Sequence, residues 1–313
     1  DSIDDEDLAA VEEAEFDAQV EQDDEGQIAH DAQTVRSVHD QAIDIMKGNR
    51  VQMTRTEEQT ALNLFPKARI IFSLVSGLAR RIHDASNLNE VFQDLVSKDA
   101  ELQSSQMHTL ARRMPTRWNS EFDCLYSHLY FKKIVQSMTG VSAYKLKAYR
   151  LDDEQWKLAV DLQSVLLLFK ELTDLFSQAE VPLVVNAIPM LLSLRNRLAL
   201  STESNENRPT PAVIRIASQA AILLLNKYLD LMWDCDIYIL AIVFCPDRKL
   251  AWFKAKLKYS NENTKKVKSI ILSTWTKYAP EKVDKGKAAE GSQRPKKTRE
   301  QKLVRVLLYN SSI

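Results

Sequence analysis

The charge of this 313-residue chain is unevenly distributed, although its formal net charge at pH 7 is only −1. Residues 1–35 hold 14 acidic residues and no Lys or Arg, whereas residues 282–305 hold nine basic residues and three acidic ones. The 6 Gly form no glycine-rich phosphate loop, which excludes a nucleotide site of that kind. The three Cys lack Cys-x-x-Cys spacing, which excludes a disulfide framework and favours a reducing, intracellular compartment. The longest apolar run, residues 237–245, is far shorter than the ~20 residues that span a bilayer, so we expect no membrane partner.

The chain begins with an acidic leader. Residues 1–50 show little apolar periodicity, and we expect them to be largely disordered or a mobile connector that screens the basic body behind it. Order is predicted to begin at Thr54, because Thr54 and Glu57 form a capping box in front of a long amphipathic helix over residues 56–84. A shorter helix is predicted over residues 88–103.

Four more helices are predicted in the middle of the chain. Asn119 or Ser120 is the expected N-cap of the first, and Asp152 is the expected N-cap of the second. The second carries an apolar stripe that includes Trp156 and is assigned to the core. The four helices cover residues 120–138, 152–176, 183–198 and 213–233, with a surface loop over 201–211 before the last.

The last third of the chain contains the clearest candidate strand. Residues Ile237–Phe244 are β-branched and aromatic, and they end at Cys245-Pro246-Asp247, which is typical of a strand followed by a turn. Two short helices are predicted over residues 248–258 and 264–278. Residues 280–300 are basic and polar and are predicted to be disordered. The sequence therefore predicts a mainly α protein with a few strands.

The segment Thr116-Arg117-Trp118-Asn119-Ser120 places a cation and a large flat ring at one predicted helix start. Such a pair can stack on a nucleobase and neutralise a phosphate. It can equally bury the ring in the core while the Arg side chain stays at the surface. The local chemistry leaves both interpretations open.

Several blocks of this sequence resemble one family. Pro115–Ser120, followed by Cys124-Leu125, resembles the TRWNS…L signature of the hAT (hobo/Activator-type) transposase superfamily. Leu166–Phe176 resembles its L..F…T..LS helix, and Ile239–Leu250 resembles its A..LDPR.K strand and turn. Residues 61–92 are similar to the helix that precedes the Trp motif, so the resemblance covers residues 55–260 in the family's order.

The resemblance implies a DNA-cutting fold, an RNase H-like core with a large helical insertion domain. In that family three acids hold two divalent ions that activate water and then a DNA hydroxyl. Here no strand-ending Asp precedes residue 50 and no Cys-x-x-His element is present, while Asp247 fits a turn better than a metal site. We therefore expect no catalytic residue, no metal ligand and no cofactor in this chain, with Mg²⁺ required only by an intact family member.

The resemblance divides the chain into five parts: an acidic disordered leader (1–50), a partial RNase H-like core segment with the Trp motif (51–150), a helical insertion (151–235), a strand-turn-helix return segment (236–280), and a basic disordered tail with an incomplete C-terminal element (281–313).

The leading prediction is a degenerate or truncated hAT-type transposase fragment that is nuclear, binds DNA, and does not cut it alone. Self-association is also expected, and a nucleotide ligand is not. The predicted DNA-binding residues are Arg117, Trp118, Asn119, Lys296, Lys297 and Arg299. By the resemblance, Trp118 stacks near the cleaved DNA end and Arg117 contacts a phosphate, while the cluster at 296–299 also fits a nuclear import signal or a solvated linker.

Two alternatives stay open. In the first, the chain is a helical protein-interaction scaffold derived from a transposase. In the second, it is part of an active DDE-type transposase whose missing acids lie in a longer parent protein. An exposed apolar patch of several hundred Å² would favour the scaffold, and a cluster of Lys and Arg on one face, around Trp118, would favour DNA.

Overall fold

The computed structural model describes residues 25–48, 53–103, 105–114, 117–178, 183–204 and 209–279, which contain twelve α-helices, two 3₁₀ turns and no strand. The helices are α1 (Glu25–Gly48), α2 (Arg55–Asp84), α3 (Ser86–Lys98), α4 (Ala100–Gln103), α5 (Asn119–Tyr130), α6 (Lys132–Gly140), α7 (Asp153–Phe176), α8 (Val184–Thr202), α9 (Ala212–Trp233), α10 (Asp236–Phe244), α11 (Lys249–Leu257) and α12 (Asn261–Tyr278). The 3₁₀ turns lie at Ser142–Tyr144 and Lys147–Tyr149. The prediction of a mainly α protein is confirmed.

The chain divides into two compact units. Unit 1 comprises Asp1–Gln178 and Ser193–Leu225, and unit 2 comprises Ala179–Leu192 and Asn226–Ile313. Helices α8 and α9 therefore contribute residues to both units. Each unit has its own hydrophobic core, and the two are described separately below.

Helix α2 is the centre of unit 1, where it packs against α3, α5 and α7. It begins with the predicted capping box: the Glu57 N–H donates to Thr54 Oγ1 at 3.2 Å, and the Thr54 N–H donates to Glu57 Oε2 at 2.7 Å. The helix continues through Pro66 to Asp84 without a break. Its buried face carries apolar side chains at helical spacing, among them Ile71, Leu74, Leu78 and Ile82. Burial of this face is the main source of stability for unit 1.

The start of α7 is tied to α2 by charge. The Gln155 N–H donates to Asp152 Oδ1 at 2.7 Å, which confirms Asp152 as the N-cap. Lys67 of α2 donates to Asp152 Oδ2 at 3.0 Å and to Glu154 Oε2 at 2.6 Å. The two carboxylates lie in the first turn of α7, where negative charge is favoured by the helix dipole.

Unit 2 is built on the short helix α10, which packs against α11 and α12. Its core contains Ile239, Ile242, Val243 and Phe253, all buried. Arg248, just before α11, donates to the carbonyl oxygen of Val185 and to Oδ1 of Asn186.

The predicted strand over Ile237–Phe244 is wrong, because these residues form α10. A short apolar run of this kind cannot be assigned to a strand or a buried helix from its periodicity. In the structure the run is a helix with one buried face, because Ile239, Ile242 and Val243 are buried at the spacing of one helical turn.

The expected RNase H-like core also finds no support in the described residues. A core of that type needs a β-sheet, and the described part of residues 51–150 is helical or irregular.

The expectation of a disordered leader is wrong for residues 25–48, which form α1. The apolar positions Ala42 and Met46 are four residues apart and buried, a short signal outweighed by the acidic composition. Residues 1–24 and 280–313, on which the other predictions for the leader and the tail fall, lie outside the described part.

Two helices, α2 and α9, are long and apolar enough to cross a membrane by length and composition alone. In both, 44% of the apolar window is buried inside the protein. The core helix of a soluble protein passes the same test.

Among the described residues of unit 1, one ion pair has a partner that is almost inaccessible to solvent. The Arg215 side chain is only 3% exposed; its Nη1 donates to Glu57 Oε1 at 2.8 Å and its Nε donates to the Thr202 carbonyl at 2.9 Å. The N–H of Thr54, aided by the Arg215 guanidinium, holds the pKa of Glu57 below its usual value. One carboxylate thus caps α2 and neutralises a buried cation of α9.

We expect Glu57→Gln to lower the free energy of unfolding by about 2 kcal/mol, since it leaves the buried guanidinium uncompensated, although Glu57 is itself half exposed. The measurement is urea denaturation at pH 7. Glu58→Gln is the matched control, because Glu58 pairs at 2.5 Å with Lys47, which is 45% exposed, and should change stability by less than ~0.5 kcal/mol. Equal effects of the two variants would contradict the assignment.

His128 is a fully buried histidine on α5. Its ring stacks on Trp156 with centroids 5.2 Å apart, and neither ring nitrogen has a hydrogen-bond partner among the described residues. Burial lowers the pKa of His128 to about 3. The folded protein therefore holds this imidazole neutral throughout the physiological range.

The buried His128 makes stability depend on pH with a defined sign. Below pH ~6.5 the unfolded chain takes up a proton that the folded chain refuses, so stability is complete above this pH and is lost as pH falls towards 3. We expect His128→Phe to remove this loss. Between pH 6 and 4 the difference in free energy of unfolding between wild type and variant should change by about 1.4 kcal/mol per pH unit. If the free energies of unfolding of wild type and variant change in parallel with pH, His128 takes up a proton from solvent as readily in the folded chain as in the unfolded chain.

Candidate nucleic-acid interface

Trp118 lies directly before α5 with helical backbone angles, φ −54° and ψ −30°. Its ring meets Phe169 of α7 edge to face, with centroids 6.3 Å apart, and 40% of the side chain remains exposed. The ring is therefore neither a core residue nor fully free, because one edge is packed and part of its surface is open to solvent.

The segment before α5 is held by Ser120. Its hydroxyl accepts the Met114 N–H at 2.9 Å and donates towards the Met114 and Arg117 carbonyls at 3.0 and 2.6 Å. The predicted N-cap, Asn119 or Ser120, is not observed as such: Trp118 occupies the cap position and no side chain there accepts a helix N–H. Instead, Oδ1 of Asn119 is buried without a hydrogen-bond partner in the described residues.

The charges near Trp118 are mixed. Arg113 pairs with Glu121 at 3.1 Å, and Lys170, next to Phe169, pairs with Asp174 at 2.7 Å. Asp123 of α5 lies near the Lys170–Asp174 pair, and burial raises its pKa. Cations and carboxylates therefore largely cancel around the ring, which does not create a strongly positive surface.

The predicted DNA-binding residues fall in two places. Arg117, Trp118 and Asn119 are brought together at the start of α5, where Arg117 and Trp118 are exposed. Lys296, Lys297 and Arg299 lie outside the described residues.

A second, stronger basic surface lies in unit 2. Residues 248–279, here called the basic helix pair, comprise α11 and α12 with their flanking turns and hold nine Lys or Arg but one acidic residue, Glu262. None of the eight lysines makes an ion pair with a described residue. The exposed lysines are Lys254, Lys256, Lys258, Lys265, Lys266 and Lys277. Such a surface attracts a polyanion.

The two faces of α12 differ in chemistry. Thr264, Val267 and Ile271 are buried against unit 2, at the spacing of one helix face. The opposite face carries exposed lysines and small hydroxyl residues; Ser269 and Ser273 each donate to the carbonyl three residues earlier, at 2.7 and 2.9 Å. Lysines separated by short side chains leave room for a phosphate backbone to approach the helix.

The turn between α11 and α12 contains a lysine with a positive φ angle. Lys258 has φ 50°, in the left-handed region that favours Gly, and it ends α11. The Tyr259 N–H then donates to the Phe253 carbonyl at 3.2 Å. Tyr259 also packs on Phe253 and Trp233, with centroids 5.7 and 6.4 Å apart. This aromatic cluster packs the end of α11 against the core of unit 2.

The sequence interpretation missed the basic helix pair as a site. It recognised an overall basic body but assigned DNA contacts to the Trp motif and the tail. A local count of charges identifies this segment, because residues 248–279 contain nine basic residues and one acidic residue. Because Asp230, Asp234, Asp236 and Asp247 lie just upstream, a count over a longer window dilutes it.

The described residues hold no group of three or more His, Cys, Asp or Glu side chains that could bind a metal ion. Cys124 and His128, four residues apart on α5, are both buried. The Cys124 thiol donates to the Ala111 carbonyl at 2.9 Å.

Comparison of the chain with protein-family models, with curated proteins and with solved structures gave no match.

The Trp118–Phe169 contact can be tested by a double-mutant cycle. We expect Trp118→Ala and Phe169→Ala each to lower the free energy of unfolding, with a coupling of about 0.5–1 kcal/mol, because an edge-to-face pair contributes beyond the area it buries. Urea denaturation of the two single variants and the double variant gives this value. A coupling near zero would show that Trp118 does not rest on Phe169 in solution.

Proposed function

We propose that the chain is a transposase-like helical fragment that binds double-stranded DNA and does not cleave it by itself. The observation that carries the proposal is the basic helix pair, whose lysines have no carboxylate partner among the described residues. The sequence resemblance to hAT transposases is its second support, and nuclear localisation follows from both as part of the proposal.

The electrostatic argument is direct. A lysine already paired with a carboxylate gains little from a phosphate, because the pair must first be broken. The lysines of the basic helix pair have no such cost, and each phosphate that they neutralise releases condensed counterions. Binding through phosphates is independent of base sequence, so the proposal is DNA affinity without strong sequence preference.

Trp118 has a secondary role in this proposal. Its exposed surface could stack on an unpaired base, an interaction of ~1–3 kcal/mol, and exposed Arg117 lies beside it. The mixed charge around the ring gives no additional phosphate attraction, so we expect Trp118 to matter for unpaired or hairpin DNA and to contribute little to duplex binding.

The experiment measures binding of a labelled DNA duplex and a labelled DNA hairpin in the presence of Mg²⁺. The salt concentration is raised from about 50 to about 200 mM, a range over which phosphate contacts lose much of their contribution to affinity. We expect salt-sensitive binding without cleavage. Replacing Lys254, Lys256, Lys265 and Lys266 by Gln should weaken duplex binding by about tenfold to a hundredfold and reduce the salt slope by about 2–4.

The matched control replaces Lys98, Lys133, Lys147 and Lys157 of unit 1 by Gln, which changes the net charge equally and should leave most of the binding intact. Trp118→Ala should weaken hairpin binding more than duplex binding. Equal losses from both quadruple variants would show that only net charge matters. An absence of binding by the wild-type chain at low salt would overturn the proposal.

A protein-interaction scaffold is the second candidate, because α10 exposes large apolar side chains. Ile237 and Phe244 lie seven residues apart on this helix, two turns along one face, and are 64% and 58% exposed. Apolar residues exposed on one face are typical of a protein contact. If the chain self-associates in sedimentation and Ile237→Lys abolishes the association while DNA binding is absent, the scaffold function is favoured.

A further inference from the structure

Unit 1 contains an apolar cavity of ≈ 220 Å³ that is open to solvent on one side and lined by residues of α1, α2, α7 and α9. Its inner wall is formed by side chains that are almost fully buried, including Ala61, Ala68, Ile214 and Ile216. Its surface is nearly all carbon, so ordered water gains little there. For comparison, an engineered apolar cavity of about 150 Å³ binds benzene.

The mouth of this cavity is unusual for a packing void. Leu62 and Phe65 of α2 line it and are 48% and 42% exposed. Ala217 of α9 lines it from the opposite side and is also exposed. His39 packs its ring on Phe65 at 5.1 Å. Large apolar side chains open to water beside an apolar cavity would be covered by the body of a ligand.

The charges at the mouth have a definite sign. Glu58 lines the cavity, and its carboxylate is paired with Lys47 at 2.5 Å. Arg69 also lines the cavity, is exposed, and makes no ion pair with a described residue. Of Glu58 and Arg69, which both line the cavity, only Arg69 lacks an ion-pair partner among the described residues. Its guanidinium prefers a carboxylate or phosphate partner.

We propose that this cavity binds a small amphipathic carboxylic acid, with its apolar chain or ring inside and its carboxylate on Arg69. The volume fits a single ring or a medium-length alkyl chain. The apolar wall supplies affinity, and Arg69 selects the head group. This site is separate from the basic helix pair, so its test is independent of DNA binding.

The probes are octanoate, 1-octanol and octylamine, which share a chain and differ in the charge of the head group. Their dissociation constants for the full chain are measured by saturation-transfer NMR titration. We expect octanoate to bind about tenfold more tightly than octylamine, with 1-octanol between them. Arg69→Gln should reduce octanoate affinity about tenfold and leave 1-octanol unchanged.

Ala217→Trp fills the mouth and should abolish binding of all three probes. Because Ala217 is exposed, the larger side chain should leave the fold intact, which a melting curve checks. Arg81→Gln, on the same helix outside the cavity, and Ala255→Trp, an exposed position of unit 2, are the matched controls and should bind octanoate as the wild type does. The proposal is overturned if octanoate does not bind, if the three probes bind equally, or if Ala217→Trp retains binding.

Discussion

One buried guanidinium links α2 to α9 in unit 1 and has to be neutralised where the two helices meet. Arg215 of α9 is almost inaccessible to water, and a charge in that position is tolerated only where a partner is fixed beside it. Glu57 is fixed because the Thr54 N–H holds its carboxylate as part of the α2 capping box. The start of the longest helix and the first turns of α9 are therefore joined by a single side chain. The cavity lies next to this junction, since Ile214 and Ile216 on either side of Arg215 form part of its wall.

Charge is used differently in the two units. In unit 1, basic residues of α1, α2, α3, α6, α7, α8 and α9 are paired with carboxylates, and several of these pairs link separate helices. The lysines of the basic helix pair make no ion pair with a described residue, and the segment itself contains one acidic residue, Glu262. Unit 2 instead relies on apolar and aromatic packing around Phe253. Lys277 lies over the Tyr278 ring, 5.6 Å from its centroid, and the charge of these lysines is otherwise available to the polyanionic partner proposed above.

The parts of the fold that the sequence predicts are those governed by local interactions. The capping box at Thr54 and the cap at Asp152 each need only four consecutive residues, and both were recognised. The identity of α10 depends on which face meets the rest of unit 2, and no window within residues 237–244 contains that information. The Trp118 position shows the same limit, because its half-exposed state is set by Phe169, 51 positions away along the chain. The cavity was not predicted, since it requires four helices to be placed side by side.

Two of the sequence blocks that carry the resemblance are helical, and the described residues contain no strand. Leu166–Phe176 is a run of apolar residues with occasional polar ones, and it forms the last part of α7. Ile239–Leu250 is another such run, and it spans the end of α10 and the start of α11. No residue of Leu166–Phe176 is buried, and in Ile239–Leu250 the buried residues are Ile239, Ile242, Val243 and Leu250. An apolar run therefore shows neither which side chains meet the core nor whether the run is a helix or a strand. The described residues contain no sheet that could carry catalytic acids, so the proposed DNA binding rests on exposed charge. That charge is concentrated in the basic helix pair, which holds nine Lys or Arg and one acidic residue.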